Sequence, residues 1–454
     1  MEQNKKTLWI QIISLSLPLI LSMAGVMIMQ LVDAVFLAWY STEAISAVVP
    51  AGMGAYLITC PFQATAGFTS TLVAHYIGAG KTKRAYSVTW QGIYCSLVSG
   101  FIVAGIGFWA EPFFKIVGHA ESVQPLEVTY FSISCWGAFP VIAASAISGF
   151  FTGRGKTLIV MVVQLSGIAL NAVIAYLLIF GKWFFPEWGI TGAAIATVGS
   201  QIFVALLLFI AFMKTKTENC GNPWTDRKFD KELFTRLIHF GFPNGLRIGF
   251  EMLAWTSFVL IVGRIGVNEL AATNIAFRIN GFSFFPVIGI GMAVAILVGQ
   301  AQGQCNFKQS IRITYTGFAL AELWMLFSAS IFLLFPSEIY SMFGGEGYTD
   351  FSQVKIIGEM LLKLIAVYCL LDAGNIIFVS ALQAAGDTRW TMIFSFIANG
   401  FFLCALVLAD IYKMGIWVEW VIATVFVMVV AFLWFFRFRS GKWHNIHVVE
   451  TPAE

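Results

Sequence analysis

The chain has 454 residues, of which 59% are hydrophobic and only 11% charged. A soluble globular protein carries roughly a quarter charged residues, so a water-soluble fold is excluded. The net charge of +3 says little by itself; its placement along the chain says more.

The hydrophobic surplus arrives as a dozen runs, each long enough to cross a hydrocarbon layer about 30 Å thick. They fall near residues 10–37, 48–77, 85–109, 130–151, 158–180, 191–213, 240–263, 270–299, 313–335, 356–382, 391–409 and 417–436. None alternates with the strand period of a membrane barrel. The expected fold class is all-α integral membrane, with twelve transmembrane helices.

The first run follows Lys5 and Lys6 and contains Ser22-Met23-Ala24, a sequence resembling a cleavage site. Apolar residues continue to Leu37, so cleavage would strand half a span, and an uncleaved first helix is expected. Asp33 lies toward the outer end of this span. Between the fourth and fifth runs, GFFTGRGKT superficially resembles a phosphate-binding loop. Its spacing before Gly155-Lys156-Thr157 is one residue too long, and it joins two spans rather than a strand and a helix. With no nucleotide domain elsewhere, an ion gradient is the expected driver. Asn171 in the fifth run is the best polar partner for Asp33, with interhelical packing as the equal alternative.

The most polar internal stretch follows the sixth run and includes Asn219, Asn222, Asp226, Arg227, Lys228 and Asp230. It divides the chain into an N-terminal six-helix lobe (1–213), a cytoplasmic linker (214–239), a C-terminal six-helix lobe (240–436) and a cytoplasmic tail (437–454). Glu251 lies in the seventh run, one turn after Arg247. The eighth holds Asn274 and Arg278, four residues apart, and Asn280, which suits an interhelical hydrogen bond or a ligand role. Glu322 in the ninth has no polar neighbour on its face apart from Ser328 and is left without a role. In the tenth, Tyr368 and Asn375 stand at i−4 and i+3 from Asp372, so the three share one helix face. Lys363 lies two to three turns earlier.

A carboxylate in the bilayer core costs a few kcal/mol even on insertion scales and normally marks an ion or substrate path. Asp33, Glu251 and Asp372 therefore point to transport. The bland reading is neutralisation by Arg247, Arg278 or Lys363. Around Asp372, carboxylate, amide and phenol oxygens form a set suited to a hard cation or a proton. Five prolines (Pro18, Pro61, Pro140, Pro243, Pro286) are expected to interrupt spans and permit bending.

With the N-terminus inside, cytoplasmic segments hold 19 Lys and Arg residues against 5 on the opposite side, alternating loop by loop. Both termini are thus expected in the cytoplasm, and topology alone explains the basic loops without a nucleic-acid partner. The seven cysteines are odd in number and scattered, and the five histidines form no metal spacing. No cofactor and no structural metal are expected.

The halves also match each other faintly. Pro18, Leu21 and Met27 match Pro243, Leu246 and Met252 at an offset of 225. Leu72, Val73 and Gly78 match Leu297, Val298 and Gly303 at the same offset, and Gly155-Lys156-Thr157 matches Gly386-Asp387-Thr388 at 231. Two pseudo-symmetric lobes related by an axis along the membrane normal, working by alternating access, are expected. The acids are not duplicated: Phe258, Val26 and Val141 stand opposite Asp33, Glu251 and Asp372.

Several of these segments together resemble one family: Leu31-Val32-Asp33, Thr42-Glu43-Ala44-Ile45-Ser46-Ala47, Tyr76-Ile77-Gly78-Ala79-Gly80, Gly241-Phe242-Pro243 and Val298-Gly299-Gln300-Ala301-Gln302-Gly303. The chain is similar over nearly its full length to the multidrug and toxic compound extrusion family, NorM-like branch. The resemblance implies antiport, with Na+ or H+ entering as an amphipathic, often cationic, compound leaves. It implies a cation site at Glu251, Asp372 and Tyr368, with Na+ a candidate at the two acids, and an N-lobe role for Asp33. In the DinF-like branch an Asp follows the span-five Asn by one turn; here Ala175 follows Asn171, which argues against that branch. A monomer in the inner membrane, in contact with lipid and small-molecule substrates and without enzymatic activity, is expected. The rival reading is a flippase for a lipid-linked oligosaccharide or cell-wall precursor of similar fold.

Overall fold

A computed structural model describes residues 2–215, 223–343 and 351–450. Lys216, Asn219, Cys220 and Asn222 of the middle segment lie outside the described residues, as do the side chains of Lys5 and Lys6. Among the described residues there is no strand. In chain order the helices are α1 (Glu2–Tyr40), α2 (Thr42–Gly67), α3 (Thr69–Gly78), α4 (Thr82–Gly107), α5 (Ala110–Val117), α6 (Gln124–Trp136), α7 (Ala138–Gly153) and α8 (Thr157–Phe180). There follow α9 (Gly189–Lys214), α10 (Lys231–Ile265), α11 (Val267–Gly303), α12 (Phe307–Leu334), α13 (Pro336–Ser341), α14 (Phe351–Ala384), α15 (Thr388–Ile411) and α16 (Ile416–Arg439). Among the described residues, eleven spans are long and apolar enough to cross a membrane; α6 and α7, bent by 42° at their junction, make the twelfth. This is a multi-pass membrane protein with the expected number of spans.

Two expectations need adjusting. Pro18, Pro61, Pro243 and Pro286 lie inside unbroken helices rather than interrupting them. A proline in a membrane helix is tolerated when the freed carbonyl finds another donor. At Pro61 that carbonyl is Leu57 O, approached by Cys60 Sγ at 3.6 Å. Pro140 does adjoin a bend, but it sits in the first turn of α7, where its missing N–H costs no bond. Secondly, α10 begins nine residues before the expected start of the seventh run, inside the polar stretch. Asp230 Oδ1 accepts from the amides of Glu232 (3.0 Å) and Leu233 (3.2 Å), capping the helix. Leu233 and Leu237 then bury completely.

The internal repeat reappears in the turns. After α3, α7 and α14 the chain reverses with the same pair of hydrogen bonds, and after α11 with the longer of the two. Gly80, Gly155 and Gly386 each bond three residues back, and Lys81, Lys156, Asn306 and Asp387 each bond five residues back, at 2.8–2.9 Å. The residue before each closing amide takes a left-handed conformation: Gly80 (φ +71°), Gly155 (+74°), Cys305 (+56°) and Gly386 (+88°). Glycine reaches this region without strain; cysteine does not. Gly80 and Cys305 are separated by 225 residues and Gly155 and Gly386 by 231, the offsets of the sequence repeat.

The chain divides into two compact units. Unit 1 comprises Met1–Ile20, Phe250–Gln302 and Asn306–His447; unit 2 comprises Leu21–Gly249, Gly303–Cys305 and Val448–Glu454. Helices α1 and α10 each supply part of both. Unit 1 has one continuous core, in which Leu8 and Ile12 of α1 join Ala254 and Phe258 of α10 and much of α11, α14 and α16. Trp255, Phe258, Phe277, Phe402, Trp420 and Phe426 pack there ring against ring, with centroids 4.5–6.4 Å apart. At the end of α14 the Arg437 guanidinium bonds both oxygens of the buried Asp387 (2.7 and 3.2 Å) and covers the Trp390 ring at 4.7 Å.

Unit 2 has three smaller cores. Its α10 segment lies directly on α2: a Cβ at Gly245 would come within 2.1 Å of the Pro61 carbonyl, so only glycine fits. Small residues that let backbones approach are how helices associate where lipid removes the hydrophobic drive.

Candidate functional site

Unit 1 gathers polar side chains from four helices around α14. As the i−4/i+3 spacing requires, Asp372 and Tyr368 are buried together, with Asn375 half-buried beside them. Asn375 Nδ2 donates to Asp372 Oδ1 at 2.9 Å, and Asn375 Oδ1 accepts from Trp434 Nε1 of α16 at 2.9 Å. An indole only donates, so it fixes which end of the amide faces it and leaves the NH2 for the carboxylate. One Asp372 oxygen is thereby held in place, and the other is left for a proton or a cation.

From α11, the Asn280 amide oxygen accepts from Ser283 Oγ (3.0 Å) and lies 3.7 Å from Cys369 Sγ, within hydrogen-bonding reach of Tyr368. Asn280 is thus an interhelical bond, one of its two anticipated roles. Glu251, half-buried on α10, is within electrostatic reach of Asp372. Glu322 of α12 reaches Cys369 in the same way, and its Oε2 is buried without a partner among the described residues. The acid left without a role on sequence grounds therefore belongs to this neighbourhood.

Two of the three bases weighed against the acids, Lys363 and Arg278, do not join it. Lys363 is exposed; nine residues before Asp372, it stands on the opposite side of α14, at about 180°. Arg278 is also exposed, about 200° around α11 from Asn280, and Asn274 shares that outer face. Asn274 and Arg278 are thus not brought to Asp372. Arg247 and Glu251 are both half-buried on α10. Among the described residues no base forms an ion pair with Asp372, which is held by an amide instead.

Unit 2 has its own centre at Asp33. Alongside α8, Gly25 faces Leu165 and Ile168, while Phe36 packs on Tyr176 (5.7 Å) and Phe180 (6.1 Å). The two helices therefore run side by side and bring Asp33 and Asn171 within about one turn in height. Both are buried, and Asp33 Oδ1 and both polar atoms of Asn171 have no hydrogen-bond partner among the described residues. Thr197 of α9 stands within bonding reach of the Asp33 carboxyl and of the Tyr130 phenol from α6. A buried polar group left without a partner costs about 1–3 kcal/mol, so three such atoms on adjacent helices suit a site that exchanges a small polar species.

Sequence reasoning did not single out Tyr130, Thr197, Ser283, Cys369 or Trp434. Each is a lone polar or aromatic residue in an apolar run, and only the packing of other helices gives it a role. Across the described residues, no cluster of three or more His, Cys, Asp or Glu side chains forms a metal-binding group.

Comparisons with known proteins follow the same lines. The family model MatE matches residues 18–177 and 247–408, once in each half of the chain. A probable multidrug resistance protein NorM of Thermotoga maritima is 24% identical over 442 residues, covering 96% of this chain and 93% of that protein. A protein of the same name from Synechocystis is 26% identical over 430 residues, 89% of each. Among solved structures, an outward-facing multidrug resistance MATE family transporter of the MOP superfamily superposes with a TM-score of 0.84 at 20% identity, covering 95% of each chain. A MOP superfamily transporter from Pyrococcus furiosus, described as having a binding pocket of reverse polarity, gives 0.83 at 20% identity, again over 95% of each. These structures share the twelve-helix, two-lobe fold.

Proposed function

The chain belongs to the MatE family, and on that premise we propose that it is a cation-coupled antiporter exporting amphipathic, often cationic, compounds from the cytoplasm. The observation that carries the reading is Asp372: a buried carboxyl in the middle of a span, oriented by the Asn375 amide and Trp434 rather than cancelled by a base. A group held this way can change its load of H+ or Na+ without breaking a structural ion pair. Glu251, with Tyr368, shares that centre, and Asp33 forms a second one in unit 2. Loading of these acids from the outer side drives the switch between the two access states and releases substrate, as alternating access requires. The 19-to-5 bias of basic residues supports cytoplasmic termini in an inner membrane. The NorM names of the relatives support drugs and toxic compounds as cargo.

The test is ethidium efflux from right-side-out vesicles with a pH gradient and a Na+ gradient imposed separately. Efflux that follows at least one gradient is the expected result. Efflux indifferent to both, or driven by ATP alone, contradicts antiport.

A further inference from the structure

At the end of unit 2 away from the α4 N-terminus, a loop joins α5 to α6 and carries His119. The imidazole is 43% exposed, and its Nδ1 lies 2.6 Å from Glu127 Oε1. Glu127 is itself fully buried in the first turn of α6, and its second oxygen has no partner among the described residues. Gln124 Nε2 donates to the His119 carbonyl at 2.6 Å and fastens the loop over the helix start. An acid at a helix N-terminus is ordinarily a dipole partner. That role does not require full burial, a bare second oxygen, or an imidazole with one edge in water and the other on the acid.

Three residues further along α6, on the same face, is Tyr130. It lies within electrostatic reach of Asp33 and within bonding reach of Thr197, which also reaches Asp33. Imidazole, carboxyl, phenol, hydroxyl and carboxyl thus succeed one another inward from the loop, all within unit 2. We propose that the His119–Glu127 pair is the outer entry through which protons reach Asp33, so that this half of the molecule is coupled to H+. The inference rests on the antiport reading and adds to it an ion and a route.

The proton balance is simple. His119 imidazolium passes its Nδ1 proton to Glu127 Oε1. The proton that Glu127 already carries on Oε2 leaves in the same step and is relayed to the Asp33 carboxylate, and a turn of the carboxyl then brings the new O–H to the Oε2 side. His119 then takes a new proton from outer water, and only O–H and N–H bonds change. Other charged groups on the surrounding elements do not compete for the pair. Glu43 of α2, Glu121 of the loop and Glu187 before α9 are exposed, and Glu111 of α5 is bound to Lys115 at 2.7 Å. The outer half of α4 and all of α7 carry no acid or base.

The test compares wild-type, Glu127→Gln and His119→Asn proteins in proteoliposomes containing a pH-reporting dye, with ethidium as substrate and either a pH or a Na+ gradient. In wild-type, an inward pH gradient should drive exchange. Glu127→Gln should slow proton entry by about tenfold or more with ethidium binding unchanged, and His119→Asn by about fivefold in weakly buffered medium. Free imidazole added outside should restore the His119→Asn rate, which a merely structural role would not show. Variants matching wild-type, or no rescue by imidazole, overturn the proposal. Wild-type exchange driven by Na+ alone overturns it while leaving antiport intact; indifference to both gradients ends both readings. If Glu127→Gln fails to fold, His119→Asn in its exposed loop decides the matter.

Discussion

Trp434, Asn375 and Asp372 form a short chain of hydrogen bonds in which each member fixes the next. The indole can only donate, the amide must then turn its oxygen toward it, and the carboxyl receives the NH2. Trp434→Phe keeps the ring and deletes the donor. The half-buried amide oxygen then loses its donor, at a cost of up to about 1–3 kcal/mol, and the amide is free to flip away from Asp372. Ethidium efflux should fall severalfold while the protein still reaches the membrane; unchanged efflux would show that this chain of bonds does not position Asp372. The grouping of Tyr368, Asp372 and Asn375 was legible in the sequence because it is local to one helix, where spacing dictates facing. Thr197, Tyr130 and Trp434 were not, since their partners lie on other helices. The same periodicity explains why Lys363, at about 180° from Asp372, faces away from the acid it was weighed against, and why Arg278 lies about 200° around α11 from Asn280.

Among the elements, the four reverse turns after α3, α7, α11 and α14 are the plainest trace of duplication. Residue identities across the repeat are sparse, yet the five-residue hydrogen bond and the left-handed residue recur at offsets of 225 and 231. Three turns use glycine, and the fourth uses Cys305 at φ +56°. Cys305→Gly should relieve backbone strain of about 1–2 kcal/mol, partly offset by the greater freedom of glycine in the unfolded chain. A small rise in Tm of the detergent-purified protein, with efflux unchanged, is the expected outcome; a fall in Tm would mean that the Cys305 side chain contributes more than its conformation costs. Prolines were the least readable elements. Their effect depends on whether a donor such as Cys60 takes up the freed carbonyl, and that is invisible before the helix is built.

For the whole molecule, composition carried the fold: twelve apolar runs became twelve spans, and the end of the middle polar stretch became the first turns of α10. Less visible was the sharing of α1 and α10 between the two compact units, because hydropathy reports length and not neighbours. Close approaches such as Gly245 on Pro61 hold the α10 segment within unit 2. Each unit contains an acid centre built from its own helices, Asp372 in one and Asp33 in the other. The most direct measurement of whether such acids exchange ions is substrate-evoked ion movement in proteoliposomes, recorded for wild-type and Asp372→Asn with internal pH and Na+ indicators. Ethidium should provoke counter-movement of H+ or Na+ in wild-type, and Asp372→Asn, still folded, should lose both ion movement and efflux. Full ethidium transport by Asp372→Asn, or wild-type transport with neither ion moving, would contradict the mechanism.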